Sequence, residues 1–250
     1  MIARGLRQNL THSIVQDLGV AIVTGTYSDR NPFPVEAQLC RQYGASRTAL
    51  REAVKMLTAK GLLGARPRQG TWVQPESNWN LLDPDILGWL LERKFSPALL
   101  TEFTEVRLAI EPLAAALAAT TAGPAEKQAV RDAIERMRAA GRGEDDPLAS
   151  DIAFHVAVLR ASRNRFYAQL AELTSAALRF SIRTTNRYKG VKLANVADHE
   201  RVANAIVAGR PAVAAEAMRK MIQETLGLIV GHEAAAPARR PSATRRRSPR

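Results

Sequence analysis

Three short helical patterns occupy the first 60 residues of the chain. Ile14, Leu18 and Ile22 recur at the spacing of one helical face. The segment "VEAQLCRQY" predicts a second helix. The segment "SRTALREAVKMLTAK" predicts a third, with Ser46 well placed as its N-cap residue.

A hairpin pattern follows the third helix. The segment "LLGARPRQGTWV" predicts two short strands, 62–65 and 71–74, around the polar turn "RPRQG". Helix, helix, turn, helix and hairpin, in that order, describe a winged helix-turn-helix. We predict this fold for residues 1–75.

The remainder of the chain carries almost no strand pattern. The segment 76–83, rich in polar residues and proline, is predicted to be a linker. Beyond it we predict an all-helical antiparallel bundle over 84–232 and a disordered basic tail over 233–250, so that the fold class is mainly α. The predicted helices are 84–94, 97–121, 124–140, 146–162, 165–188, 196–209 and 211–230.

Composition narrows the class of protein. The 250 residues are 46% hydrophobic and include one cysteine, so the chain can bury a core but forms no internal disulfide. No apolar run reaches the roughly 18 residues of a membrane-spanning helix, and the N-terminus lacks the apolar stretch of a signal peptide. We therefore expect a cytoplasmic protein with no membrane partner.

Positive charge is concentrated at the two ends of the chain. The first 75 residues hold ten Lys/Arg against four Asp/Glu, and the last 18 hold six Arg against one Glu. The residues between them are nearly neutral, with twenty Lys/Arg and nineteen Asp/Glu. A basic end module suggests a polyanion such as nucleic acid, although charge alone would also serve solubility.

The third helix and the hairpin place cations away from their apolar faces. The N-terminal residues of a recognition helix face base edges in the major groove, where arginine can pair with guanine and threonine can touch a thymine methyl or a phosphate. One such arginine would be an ordinary solvated residue, but three elements in this order favour DNA binding. The predicted contacts to double-stranded DNA are Arg47, Thr48, Arg51, Lys55, Arg66 and Arg68.

The segment "FPVEAQLCRQYGASRTALREAVKMLTAKGLLGARPRQGTWV" resembles the DNA-binding domain of the GntR family of bacterial transcription regulators. Their pattern is close to LP-x-E, a short helix, G-x-SR-x-x-x-REAL and a wing ending in G-T-x-V. The resemblance implies that Arg47, Thr48 and Arg51 contact bases and phosphates. Two positions depart from it: Ala37 removes one expected phosphate contact, and Arg68 adds a cation where many members have glycine.

The helical remainder is similar to the FCD effector-binding domain of the FadR-type subgroup. The similarity rests on "EVRLAIEPLAAALAA", "DIAFHVAVLRASRN" and "DHERVANAIVAGRPAVAAEAM". Within the subgroup, "NWNLLDPDILGWLLE" resembles regulators of galactonate and related sugar-acid operons. The resemblance implies a homodimer on a palindromic operator and repression relieved by a small acidic effector, a sugar acid such as galactonate.

An aspartate and a histidine four residues apart interrupt an apolar helix. Asp151 and His155 would lie on one helical face and offer an oxygen and a nitrogen to a common point. Two ligands do not hold a metal, so the spacing alone favours a surface pair or a structural pair over a metal site. His199, near the start of a later helix, can face a bundle interior, where such sites are built.

The FCD resemblance bears on this choice. Metal-binding FCD domains use an Asp-x3-His pair, a histidine at the position of His199 and another at the position of Met221, and methionine is a poor ligand for ions that favour carboxylate and imidazole. Either the site is a relic and the pocket binds an acid directly, or Asp151, His155 and His199 hold a divalent ion, zinc or similar, with positions left open. We favour the second, because three such ligands still make a usable site.

Arg107 stands among apolar residues in mid-helix and needs a partner if it is buried. It could pair with Glu111, four residues on, or clamp the carboxylate of an effector with its forked guanidinium. The FCD resemblance points to the clamp. Thr185 and Asn195 are predicted, from position alone, to contact hydroxyl groups of the effector.

Two other classes of protein stay open. A metal-dependent enzyme could use the same three ligands to activate water, but that account gives the DNA-binding head no role, so we expect no enzymatic activity. A DNA-packaging protein would use the basic head and tail without an effector and show little sequence preference.

Overall fold

Helices make up most of the computed structural model, which describes residues 2–28, 30–66, 69–93, 97–190 and 195–235. Within these ranges the remaining regular structure is one two-stranded hairpin and one 3-10 turn, Glu76–Asn78. The predicted class, mainly α with an N-terminal winged helix-turn-helix, is confirmed. The elements are α1 (Ile2–Val23), α2 (Glu36–Tyr43), α3 (Arg47–Ala59), β1 (Leu63–Arg66), β2 (Gly70–Val73), α4 (Pro84–Arg93), α5 (Pro97–Thr121), α6 (Pro124–Gly141), α7 (Pro147–Ala161), α8 (Arg165–Lys189), α9 (Val196–Val207) and α10 (Pro211–Ala235).

Local chemistry sets the turns of the N-terminal part. Ser46 caps α3, because its hydroxyl accepts a hydrogen bond from the backbone N–H of Ala49 at 3.3 Å. Gly61 follows α3 with a φ of +80°, and a Cβ there would lie 2.2 Å from the carbonyl oxygen of Asn78. Only glycine fits such a site, so the chain can turn directly into β1.

Two apolar clusters meet at α4. Ile86 and Trp89 belong to the cluster formed with α1, α2, α3 and β1. Leu87 and Leu91, on the other side of α4, pack against α5 and α8. The contact with α1 is close, since a Cβ on Gly19 would lie 2.4 Å from the Trp89 ring.

Helices α5 to α10 surround a third apolar cluster, which positions the site described below. α5 packs along α10, and α7 lies between α6 and α8. Phe154, Val158 and Met218 are among its fully buried residues. A helix that is buried on several faces shows little amphipathic pattern. The alanine-rich sequence of α7 is an example.

The predicted helices after the linker agree with the structure within two residues, apart from the last one. That helix continues to Ala235, so 233–235 are helical rather than part of the predicted tail. Residues 236–250 and Arg68 lie outside the described residues. Among the described residues, no helix is both long enough and apolar enough to cross a membrane.

Candidate functional site

The exposed face of α3 carries the first group of predicted DNA contacts. Arg47, Thr48, Arg51 and Lys55 are all exposed. The opposite face anchors the helix in the core and thereby fixes which side chains point outward. A helix held in this way can present its N-terminal residues to a major groove. Its buried residues are Leu50, Ala53 and Leu57.

Glu36, the first residue of α2, lies against two of these arginines. Its Oε2 is 2.9 Å from the Nε of Arg51, and its Oε1 is 3.9 Å from the Nε of Arg47. The arginine side chains are 64% and 78% exposed, so these pairs add little to stability, but they can orient the guanidinium groups. Glu36 is the glutamate of the LP-x-E pattern, but the sequence alone predicts no contact between it and the arginines of α3.

The wing contributes one described cation. Arg66, at the end of β1, is exposed, and its guanidinium lies 5.8 Å from the centre of the Trp72 ring. This stacking holds the charge near the tip of the hairpin, where it can reach a groove or a phosphate.

A cavity of about 320 Å³ opens between α5, α7, α8, α9 and α10. All six residues that we predicted as effector or metal ligands line it, although they come from four different helical segments of the sequence. These residues are Arg107, Asp151, His155, Thr185, Asn195 and His199.

Asp151, His155 and His199 meet in this cavity with potential ligand atoms within 4.8 Å of one another. Their exposed fractions are only 3%, 4% and 4%. Oδ1 of Asp151 lies 3.4 Å from Nε2 of His155 and 3.3 Å from Nε2 of His199. Even so, this buried oxygen accepts no hydrogen bond of good geometry from the described residues.

The other ring nitrogen of each histidine has a hydrogen-bond acceptor. Nδ1 of His155 donates to Oε2 of Glu111 at 2.6 Å, and Nδ1 of His199 donates to the backbone carbonyl of Asn195 at 2.9 Å. When the imidazoles are neutral, a proton on Nδ1 leaves the lone pair of Nε2 directed at Asp151. Three electron pairs therefore converge on one buried point, an arrangement that a cation stabilises.

The three side chains fit a divalent metal ion. One carboxylate oxygen and two imidazole nitrogens form a donor set suited to zinc and similar ions. Tetrahedral bonds of zinc length place neighbouring ligand atoms about 3.3 Å apart, close to the two distances from Asp151. Met221 also lines the cavity, but its soft thioether is a poor ligand for such ions. Within the part of the chain that the structure describes, the donor set therefore consists of Asp151, His155 and His199.

Arg107 and Glu111 form a buried ion pair beside this triad. The Nε of Arg107 lies 2.6 Å from Oε1 of Glu111, and its Nη2 lies 3.3 Å from Nδ1 of His155. Burial alone would raise the pKa of Glu111, but Arg107 and His155 lower it to about 2. Burial likewise opposes ionisation of Asp151, whose pKa the two histidines hold well below its usual range.

This pair changes what Arg107 can do. Its Nε and Nη2 face Glu111, so among its nitrogens only Nη1 has no partner in the described residues. The sequence predicts Glu111 only as an ion-pair partner, and the structure adds its contact with His155. Its spacing of four from Arg107 signalled the ion pair, whereas nothing in the sequence signalled the histidine contact.

Thr185 and Asn195 line the cavity with groups that are partly engaged. The hydroxyl of Thr185 donates to the carbonyl of Ser181 at 2.9 Å, which leaves the oxygen free to accept. The side chain of Asn195 caps α9 by accepting from the N–H of Ala197 at 3.1 Å, which leaves its amide group to donate.

Two family models match the chain. That of bacterial regulatory proteins of the gntR family matches residues 10–73, and that of the FCD domain matches residues 102–224. A solved structure of Lar, described as controlling the Listeria monocytogenes agr system, covers 88% of this chain and 96% of its own at 16% identity and a TM-score of 0.56. That likeness shows the fold alone.

Curated relatives narrow the class. The galactonate operon transcriptional repressor of Escherichia coli K12 is 36% identical over 163 residues, which are 65% of this chain and 71% of that protein. The HTH-type transcriptional regulator YieP of the same organism is 37% identical over 67% of this chain and 74% of its own length. The HTH-type regulator LutR of Bacillus subtilis is 29% identical over 78% and 89%. The chain therefore belongs to the GntR family of bacterial transcription regulators, with an N-terminal DNA-binding domain and a C-terminal FCD domain.

Proposed function

We propose that this regulator is a repressor that a small hydroxy acid releases from its operator. The acid, a sugar acid of the galactonate type, binds in the FCD cavity, with a divalent ion held by Asp151, His155 and His199. Two copies pair through their helical domains and place two α3 helices on a palindromic operator.

One observation carries the effector part of this proposal. The unpartnered Oδ1 of Asp151 and two histidine Nε2 atoms face one another in the wall of a cavity large enough for a six-carbon acid. Effector recognition by a repressor of sugar-acid metabolism is further supported by the galactonate repressor among the relatives.

The chemistry of the cavity suits a hydroxy acid. A bound divalent ion would offer positive charge and open positions to a carboxylate and its α-hydroxyl. Nη1 of Arg107 is placed to donate to the same carboxylate, while its other nitrogens keep Glu111. Thr185 and Asn195 supply an acceptor and a donor for the remaining hydroxyl groups.

Effector binding acts on DNA by linkage. If the acid favours an arrangement of the two heads that fits the operator poorly, DNA and acid weaken each other's binding by the same factor. This account gives both parts of the chain a role and needs no turnover, so we infer that the protein is not an enzyme. An effector-independent packaging role would instead leave the built cavity unused.

A thermal-shift titration tests the effector and the metal together. Purified protein, either chelated or reloaded with zinc, is titrated with D-galactonate, with hexanoate as an acid without hydroxyls and with galactitol as a polyol without a carboxylate. Of the three compounds, we expect only D-galactonate to stabilise the protein. Chelation should remove this stabilisation, and zinc should restore it. Stabilisation that is unaffected by chelation would remove the metal from the proposal, and no stabilisation by D-galactonate in either state of the protein would overturn the proposed effector.

A further inference from the structure

Glu224 is an unpaired carboxylate in the wall of the FCD cavity. It lies on α10, one turn beyond Met221, and no cation of the described residues pairs with it. Another carboxylate of the wall, Asp198, is paired with Arg201. Glu224 therefore adds a negative charge that the described protein does not compensate.

The buried groups set the charge that an effector must match. Arg107 and Glu111 cancel each other, and with neutral histidines Asp151 leaves one negative charge. A divalent ion turns this into one positive charge, which a single carboxylate neutralises. Among the described side chains of the wall, a second carboxylate on the same molecule would find no further positive partner and would meet Glu224.

Hydrogen bonding on the cavity wall points the same way. The hydroxyl of Thr185 donates to the carbonyl of Ser181, and that of Thr225 donates to the carbonyl of Met221 at 3.2 Å, so both oxygens of these lining residues are left as acceptors. The carboxylate of Glu224 also only accepts. These three groups can receive the O–H of an alcohol, whereas a second carboxylate has no proton to donate to them.

We propose that the cavity selects hydroxylated acids with one carboxylate and rejects those with two, and that Glu224 makes this distinction. The proposal rests on the function proposed above and defines its ligand class more narrowly. Aldonic acids, which end in an uncharged CH2OH group, satisfy the requirement. Aldaric acids, which have the same carbon chain but a carboxylate at each end, do not.

Matched pairs of acids test the proposal. Zinc-loaded protein is titrated by calorimetry with D-galactonate and galactarate, and then with D-gluconate and D-glucarate, which share stereochemistry within each pair. In the pair whose aldonate binds better, we expect the aldonate to bind about tenfold or more tightly than the matching aldarate. The reason is that Glu224 and the second carboxylate of the aldarate repel each other on that scale in a partly shielded cavity. The Glu224→Gln variant should bring the pair within about threefold, mainly by improving the aldarate.

Glu216→Gln is the matched control, because Glu216 lies on the same helix and pairs with Arg219 but does not line the cavity. It should preserve the wild-type preference. Zinc affinity and thermal unfolding of Glu224→Gln should equal those of the wild type, since Glu224 is exposed.

Each remaining outcome is decisive. Equal binding of aldonate and aldarate by the wild type would overturn the charge selection but keep the sugar-acid effector. A preference that survives Glu224→Gln would overturn the role of that residue. If the wild type binds none of the four acids, the proposed effector fails together with this inference.

Discussion

Glu111 and His155, on helices α5 and α7, are joined by a 2.6 Å hydrogen bond from the imidazole Nδ1 to the carboxylate. The bond fixes the orientation of the imidazole ring and leaves Nε2 directed at Asp151. Carboxylates in this relation to a ligating histidine raise its basicity and hold its tautomer. We therefore expect Glu111 to act as a positioning residue for the triad.

Glu111→Gln should weaken zinc binding about 10- to 100-fold, the usual cost of losing such a partner. It should also destabilise the fold by roughly 3–5 kcal/mol, because Arg107 is left as a buried unpaired charge. Competition with a chromophoric chelator measures the first effect and urea unfolding the second. Glu105→Gln, an exposed change on the same helix, should alter neither. Wild-type zinc affinity in a folded Glu111→Gln variant would contradict the positioning role.

Arg47→Ala should abolish specific DNA binding without unfolding the protein, because the side chain is 78% exposed at the start of α3. Selection from a pool of duplexes with a randomised core identifies the operator, and fluorescence anisotropy on that duplex compares the variants. Arg131→Ala, an exposed change on α6, is the control and should bind as the wild type does. Retained specific binding by Arg47→Ala would mean that α3 is not the recognition helix.

Glu36→Gln should reduce the ratio of specific to non-specific affinity rather than affinity in general. The change frees Arg51 and Arg47 from their common partner and removes a negative charge close to the DNA. Non-specific binding should tighten, while specific binding weakens by about tenfold, which lies in the lower part of the range of about 1–3 kcal/mol for a single base contact. The measurement is anisotropy on operator and on scrambled duplexes at two salt concentrations. A uniform change on both duplexes would exclude an orienting role for Glu36.

Gly19→Ala should destabilise the protein by about 1–3 kcal/mol, because the new methyl group overlaps the rigid ring of Trp89. Gly88→Ala is a matched helical change next to that tryptophan, and nothing lies within 4 Å of its new Cβ. It should stabilise by about 0.5–1 kcal/mol through helix propensity. Denaturant unfolding of both variants checks the pair, and similar effects would argue against the close contact of α1 with α4.

Local features of the sequence were sufficient to predict the helices and strands of the fold. Ser46 predicts the start of α3, and three prolines predict the starts of later helices, at Pro97, Pro124 and Pro211. These predictions succeed because N-cap residues and prolines act within one turn of the chain. The end of α10 was missed by five residues, since "GHEAA" contains neither a proline nor a strong break.

The sequence by itself also determined the types of side chain available to the sites, including the basic face of α3 and the Asp151–His155 pair. Only the tertiary structure decided which of them meet. His199 reaches Asp151 from 48 positions away, Glu111 reaches His155 from another helix, and Glu36 reaches Arg51 across a turn. Helical spacing predicts neighbours three and four residues apart, whereas these contacts depend on how whole helices pack, which is a property of the assembled core.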